Sequence, residues 1–280
     1  MLVIVLMLQF FLLLFHGSPL HTIQKKGIVW RKDTLQTVLI AGHLVDIRLP
    51  AQGEIKGNII VLPGWSFSKE DWCNKSTLCN KALAQGYCLI LPEMSKSVYS
   101  GAYYPETVKD WQKFPNKAWI TTDMIPTLQK KHNILLSTQK NFILGLSTGG
   151  RGVALIALAQ PTLFTAVASI SGDFDQTQMA TDRLMIGYYG SYLSFKSRWE
   201  GEDNPTKQAH LWQTPIYLGH GKMDNIVPFT QTKMFYDAVK KHNPTLKMKL
   251  NLPAKAMHDY AYWDSEVDNM LAFFANFLEK

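Results

Sequence analysis

The sequence predicts an α/β architecture, a mostly parallel central sheet with helices on both faces. Three observations predict it. Short apolar runs alternate with segments of helical period along most of the chain. The runs at 58–62, 87–91 and 141–146 lack the polar alternation of a half-exposed strand, as expected for strands buried on both faces. The last of these passes directly into a helix at 149–160 through the turn Gly145-Leu-Ser-Thr-Gly149. With 280 residues, 46% hydrophobic and 12% aromatic, the chain is long enough to bury one sizeable core. One domain, 21–280, is expected, with an insertion at 171–212.

The elements follow in order. Residues 1–15 are almost wholly apolar, too short a run to span a bilayer comfortably, and His16-Gly-Ser-Pro-Leu20 follows with turn-forming residues. This reads as a secretory signal peptide over 1–20, cut near Gly17 to His21; the alternative is an uncleaved N-terminal anchor. Residues 37–41 and 44–49 mix apolar and polar side chains and read as antiparallel edge strands. A buried strand at 58–62 ends at Pro63-Gly64. A helix at 76–85 closes at Gly86, and the next buried strand is 87–91. A loop rich in Ser and Tyr covers 92–110. Residues 117–132 read as a helix kinked by Pro126. After the strand at 141–146 and its helix comes a small-residue strand at 164–170. The pattern then breaks over 171–212, where aromatics, Gly and charges mix without a steady period; this is the expected cap over the site. A strand at 215–219, a helix at 230–241, a strand at 246–252 and a helix at 265–278 close the chain.

Net charge is +7, but lysine pairs such as Lys25-Lys26, Lys130-Lys131 and Lys240-Lys241 are scattered, which fits solvated helix ends rather than a nucleic-acid surface. The three cysteines fit no zinc spacing. Cys73 and Cys79 flank a short polar loop and are the expected disulfide, permissible after export. Cys88 lies in an apolar strand and is expected to be a buried free thiol. Asn74-Lys-Ser76 is an N-glycosylation sequon.

The turn around Ser147 has a steric logic. A serine raised on a tight strand-to-helix turn needs neighbours without side chains, and the helix that follows aims its N–H groups at charge developing there. The bland alternative is a Gly-rich turn that only packs closely. A hydroxyl becomes a nucleophile only with a base, and the base needs an orienting acid. The base is expected on a loop after the last strand. Of the eight histidines, His16, His21, His43 and His132 precede the serine, His210 sits in the insertion and His242 ends a surface helix. His258, after the final strand, is the expected base. Asp224, five residues past the strand at 215–219, is the expected acid, with Asp173 as competitor and Pro228 opening the next helix. His220 is read as a residue supporting the site or lining its pocket, or as a packing residue. The oxyanion donors are expected to be the main-chain N–H of Thr148 and of Trp65, the latter beside Gly64. Tyr99, Tyr103, Tyr104, Trp111, Tyr188, Tyr189, Tyr192 and Trp199 either line a pocket or pack the loops down.

Three pieces carry a family resemblance: Gly145-Leu-Ser-Thr-Gly-Gly-Arg-Gly-Val-Ala-Leu155, Ala159-Gln-Pro161 with Phe164, and Ala168-Ser-Ile-Ser-Gly-Asp-Phe174. They resemble an esterase family of α/β-hydrolases that includes esterase D-type S-formylglutathione hydrolases, feruloyl esterases and mycolyltransferases. Asp203-Asn-Pro205 resembles an element of that family's insertion, and His258-Asp-Tyr-Ala-Tyr-Trp263 its terminal histidine loop. The resemblance implies the α/β-hydrolase fold and a triad on Ser147, Asp224 and His258. Pro63-Gly-Trp65 and Thr148 depart from the family's commoner residues. The expectation is therefore an exported serine esterase, secreted or periplasmic, that uses no metal or cofactor. Its expected substrate is a small-molecule, glycan or lipid ester, with no nucleic-acid partner and no stable membrane insertion after signal removal. A serine peptidase or acyltransferase on the same fold is the alternative.

Overall fold

The computed structural model describes residues 35–278. The expected signal segment, 1–20, lies outside them. Eight strands form one sheet in the order β1-β2-β4-β3-β5-β6-β7-β8. They are β1 (Leu35–Ile40), β2 (His43–Arg48), β3 (Gly57–Leu62), β4 (Tyr87–Pro92), β5 (Asn141–Leu146), β6 (Ala166–Ile170), β7 (Ile216–Gly219) and β8 (Met248–Asn251). β1 and β2 are antiparallel, and β2 pairs antiparallel with β4; from β4 onward every neighbour is parallel. This is the mostly parallel sheet that the alternation of elements predicts and the α/β-hydrolase fold that the resemblance implies.

Burial explains the continuous apolar strands. Ile59, Val61, Leu89, Leu91, Phe142, Leu144 and Leu146 face one side, in a core with Trp72, Leu78, Trp263, Met270 and Phe274. The intervening Ile60, Ile90 and Ile143 are equally buried, so both faces are covered.

The helices are α1 (Asp71–Lys75), α2 (Leu78–Ala84), α3 (Lys117–Trp119), α4 (Ile125–Thr127), α5 (Thr148–Ala159), α6 (Arg183–Tyr189), α7 (Lys196–Glu200), α8 (Thr230–His242), α9 (Tyr260–Ser265) and α10 (Val267–Ala275). Four of these differ from the sequence reading. The helix expected over 76–85 is α2, and the sequence reading leaves out α1, which the Cys73–Cys79 disulfide ties to it. The run 117–132 continues past Pro126 instead of simply kinking. Wide π-turns at Ile120–Met124 and Leu128–His132 flank α4, so the ladder shifts around the missing proline N–H. The expected closing helix, 265–278, is α10, and the sequence reading leaves out α9 before it; Glu266 stands between the two, its carboxylate accepting from the Tyr217 hydroxyl and Asn251 Nδ2. Pro228 does not open α8, which begins at Thr230.

The expected disulfide is present, and Cys88 is free and buried, its thiol pushed up to about 12 by desolvation. Residues 171–212 hold α6, α7 and two short 3-10 turns, knitted by buried Tyr188, Tyr189 and Trp199. No helix of the described residues is long and apolar enough to cross a membrane.

Candidate active site

Four parallel strands deliver the predicted residues at their carboxyl ends. Trp65 follows β3, Ser147 stands between β5 and α5, Asp224 lies on the loop after β7, and His258 lies on the loop after β8.

The turn at Ser147 is as tight as its glycines require. Ser147 has φ 54° and ψ −125°, a left-handed conformation that costs a non-glycine residue roughly 1–3 kcal/mol. Its N–H donates to Ile170 O at 2.9 Å, which ties the turn to β6. A Cβ at Gly149 would lie 2.6 Å from both Leu62 O and Pro63 O, and one at Gly145 would collide with the main chain of Gly149. The spacing of the motif therefore lets the start of α5 press against the end of β3 and the loop that carries Trp65.

Ser147, His258 and Asp224 are hydrogen-bonded in series. His258 Nε2 is 3.0 Å from Ser147 Oγ, and Nδ1 is 2.6 Å from Asp224 Oδ2. An ionised carboxylate can only accept, so the imidazole proton sits on Nδ1 and Nε2 is free to accept from the serine hydroxyl. The side chain of Asp224 is fully buried, while that of His258 keeps 10% exposure, open to a ligand from the solvent side. Asp224 Oδ1 accepts from the N–H of Ile226 at 2.9 Å and of Val227 at 2.8 Å. Burial alone would raise the Asp224 carboxyl. Hydrogen bonds from His220 and His258, the attraction of His258 and the Val227 N–H outweigh it and hold the group well below the usual carboxylate range.

Among the described residues, the N–H groups of Trp65 and Thr148 donate to no acceptor. Thr148 opens α5, so its free N–H is one of the unpaired donors at a helix N-terminus. The Trp65 loop is braced by Tyr99, whose hydroxyl donates to Pro63 O at 2.8 Å, and by Trp72 Nε1, which donates to Leu62 O at 3.2 Å. The indole of Trp65 packs edge-on against Trp111 with centroids 4.8 Å apart, and against Tyr188 at 6.3 Å. All of the tyrosines and tryptophans flagged in the sequence but Tyr99, which is buried against Gly152, meet in one cluster: Tyr188, Tyr189 and Trp199 are buried members, and Tyr103, Tyr104, Trp111 and Tyr192, with Trp65, pack half-exposed around them.

Asp173, the competing acid, is not beside His258. It pairs at 3.0 Å with Arg151, a fully buried guanidinium one turn into α5. Arg151 also donates to Gln176 Oε1, Tyr189 OH, Val98 O and Asp203 O. This network joins α5 to residues 171–212, and the sequence reading gives Arg151 no role. The available signal was a lone charge in an otherwise apolar helix, which must be exposed or paired. Trp263 was likewise unassigned. Its ring stands edge-on to His258 at 5.1 Å, and its indole donates to Ser171 Oγ at 3.2 Å.

The open parallel sheet and a serine raised between β5 and α5 define an α/β-hydrolase. The chain belongs to the prolyl oligopeptidase family, whose model matches residues 86–280, and is thus a hydrolase of the serine α/β-hydrolase type. No curated protein matches it in sequence. Among solved structures it is similar to an S-formylglutathione hydrolase from Agrobacterium tumefaciens, at 16% identity over 87% of this chain and 94% of that one, with a TM-score of 0.68. It is similar to FphF, a fluorophosphonate-binding serine hydrolase of Staphylococcus aureus, at 18% identity over 86% and 98%, TM-score 0.65. MPT51 of Mycobacterium tuberculosis is 14% identical over 88% and 99%, TM-score 0.68. The resemblance to the esterase branch of α/β-hydrolases agrees with these neighbours.

Proposed function

We propose that the protein is an exported serine hydrolase that cleaves carboxylic esters through an acyl-enzyme. The observation that carries this reading is the hydrogen-bonded series from Ser147 Oγ through His258 to Asp224. In it, Ser147 attacks the ester carbonyl as His258 Nε2 takes its proton. The imidazolium, held by Asp224, then protonates the departing alcohol. Water, deprotonated by the same nitrogen, releases the acid and restores the serine. The N–H groups of Trp65 and Thr148 receive the oxyanion of each tetrahedral intermediate, each such donor being worth roughly 3 kcal/mol. Turnover of p-nitrophenyl acetate by wild type and by Ser147→Ala tests the reading. A loss of roughly 10⁴-fold or more in kcat is expected; equal rates refute it.

The family match favours a second reading, cleavage of peptide bonds by the same residues. A panel of peptide amides run beside the ester panel separates the two, and added alcohols reveal any acyl transfer.

Export, to the periplasm or beyond the cell, is proposed from the apolar run at residues 1–15, and the Cys73–Cys79 disulfide suits it. Mass spectrometry of the mature N-terminus is expected to find it near residues 17–21; an intact Met1 on cytoplasmic protein overturns this.

A further inference from the structure

The residue after β7 is His220, and its side chain is wholly buried. Its main-chain N–H donates to Asn251 O at 3.0 Å, extending the pairing of β7 with β8. Its ring lies between the acid loop and α8. Nε2 is 3.1 Å from Asp224 Oδ2 and 2.9 Å from Val227 O; Nδ1 is 2.7 Å from Thr232 Oγ1. Both neighbours of Nε2 are acceptors, so that nitrogen carries the proton. In the neutral ring Nδ1 then accepts from the Thr232 hydroxyl, which fixes the tautomer from the far side.

The four donors around Asp224 divide its carboxylate into two halves. Oδ1 is held by the two main-chain N–H groups of its own loop. Those bonds anchor one oxygen and leave the carboxylate free to turn about it. Oδ2 takes the Nδ1–H of His258, and among the described residues the only other donor to it is His220. Apolar packing in the place of His220 would fill the space and leave Oδ2 with a single partner, one that is needed for proton shuttling.

We propose that His220 is a positioning residue: its Nε2–H fixes the plane of the Asp224 carboxylate so that Oδ2 stays aimed at His258. The proposal rests on the reading of Ser147, His258 and Asp224 as the catalytic group. His220 touches no reacting atom; it acts through Asp224 and bears on kcat rather than on substrate affinity. A second-layer partner of this kind typically changes activity roughly 10- to 100-fold.

The test is steady-state p-nitrophenyl acetate kinetics on Ser147→Ala, His220→Leu, His220→Asn and His220→Gln, each verified as folded by circular dichroism. A glutamine amide reaches about as far as Nε2 and can donate to Oδ2; an asparagine amide reaches only about as far as Nδ1. His220→Leu and His220→Asn are expected to lose roughly 10- to 100-fold in kcat with KM within about twofold of wild type. His220→Gln is expected to recover most of that loss. Wild-type kcat in His220→Leu, or equal kcat in the Gln and Asn variants, overturns the proposal. The Gln and Asn pair decides even where the Leu variant does not fold. Ser147→Ala separates the two levels. Turnover in that variant overturns the parent reading, whereas its inactivity with equal Gln and Asn rates overturns only the role of His220.

Discussion

In the proposed mechanism Asp224 carries both chemistry and stability. Its native carboxyl titrates below the unfolded value of about 3.9. A depressed native value means that ionisation favours the folded state. That contribution is fully present above the unfolded value and is lost as pH falls through the native one. Urea midpoints taken between pH 5 and pH 2 are therefore expected to fall more steeply for wild type than for Asp224→Asn. The same variant is expected to lose roughly 10⁴-fold in kcat at neutral pH, because an amide can favour the wrong tautomer of His258. A wild-type slope shared by both proteins would contradict the first expectation. That Ser147, Asp224 and His258 come together was legible in the sequence, because a glycine-flanked serine and two late loops leave few alternatives. Trp263 and Arg151 were not. An edge-on ring contact and a five-partner guanidinium exist only once distant segments have met.

At the scale of elements, α5 is anchored twice. Its first residues press on the β3 loop, and Arg151 one turn later binds Asp173, Gln176, Tyr189 and Asp203 beyond β6. Burial pushes the Asp173 carboxyl up even with Arg151 beside it, so the pair depends on both partners. Arg151→Ala is expected to cost about 3–5 kcal/mol, since it strands a buried carboxylate. Adding Asp173→Asn should restore part of that loss. Urea denaturation of the two variants checks both statements, and a single-variant cost under about 1 kcal/mol would contradict the structural account. The elements that the sequence misread share a physical reason. Pro126 removes one hydrogen bond, but the turns on either side widen and carry the helix through. The short helices α1 and α9, which the sequence reading leaves out, are divided from α2 and α10 by tertiary bonds. Thr77 donates to Asp264 through its N–H at 2.6 Å and through its hydroxyl at 2.8 Å, and Glu266 holds Tyr217 and Asn251. Local propensity carries no trace of such partners.

For the whole molecule, strand alternation made the parallel sheet and its strand positions legible, with boundaries moving by a residue or two. Its strand order was not legible, because pairing partners are chosen by packing on the two faces. The Cys73–Cys79 bridge closes a short loop, six residues in separation, and by loop-closure entropy contributes about 2 kcal/mol. Cys73→Ser with Cys79→Ser is expected to lower unfolding free energy by about that amount. Thiol titration should find no reactive group in the native wild type and one after denaturation, from Cys88.

The loops after β7 and β8 are stitched to each other by main-chain bonds, Lys222 N–H to Pro253 O at 3.0 Å and Met223 N–H to Ala256 O at 3.0 Å. An extra residue grafted into either loop would shift Asp224 and His258 together. Efforts to widen what the proposed site accepts therefore begin with side-chain exchanges at the half-exposed Tyr103, Tyr104 and Trp111, rather than with insertions in these two loops.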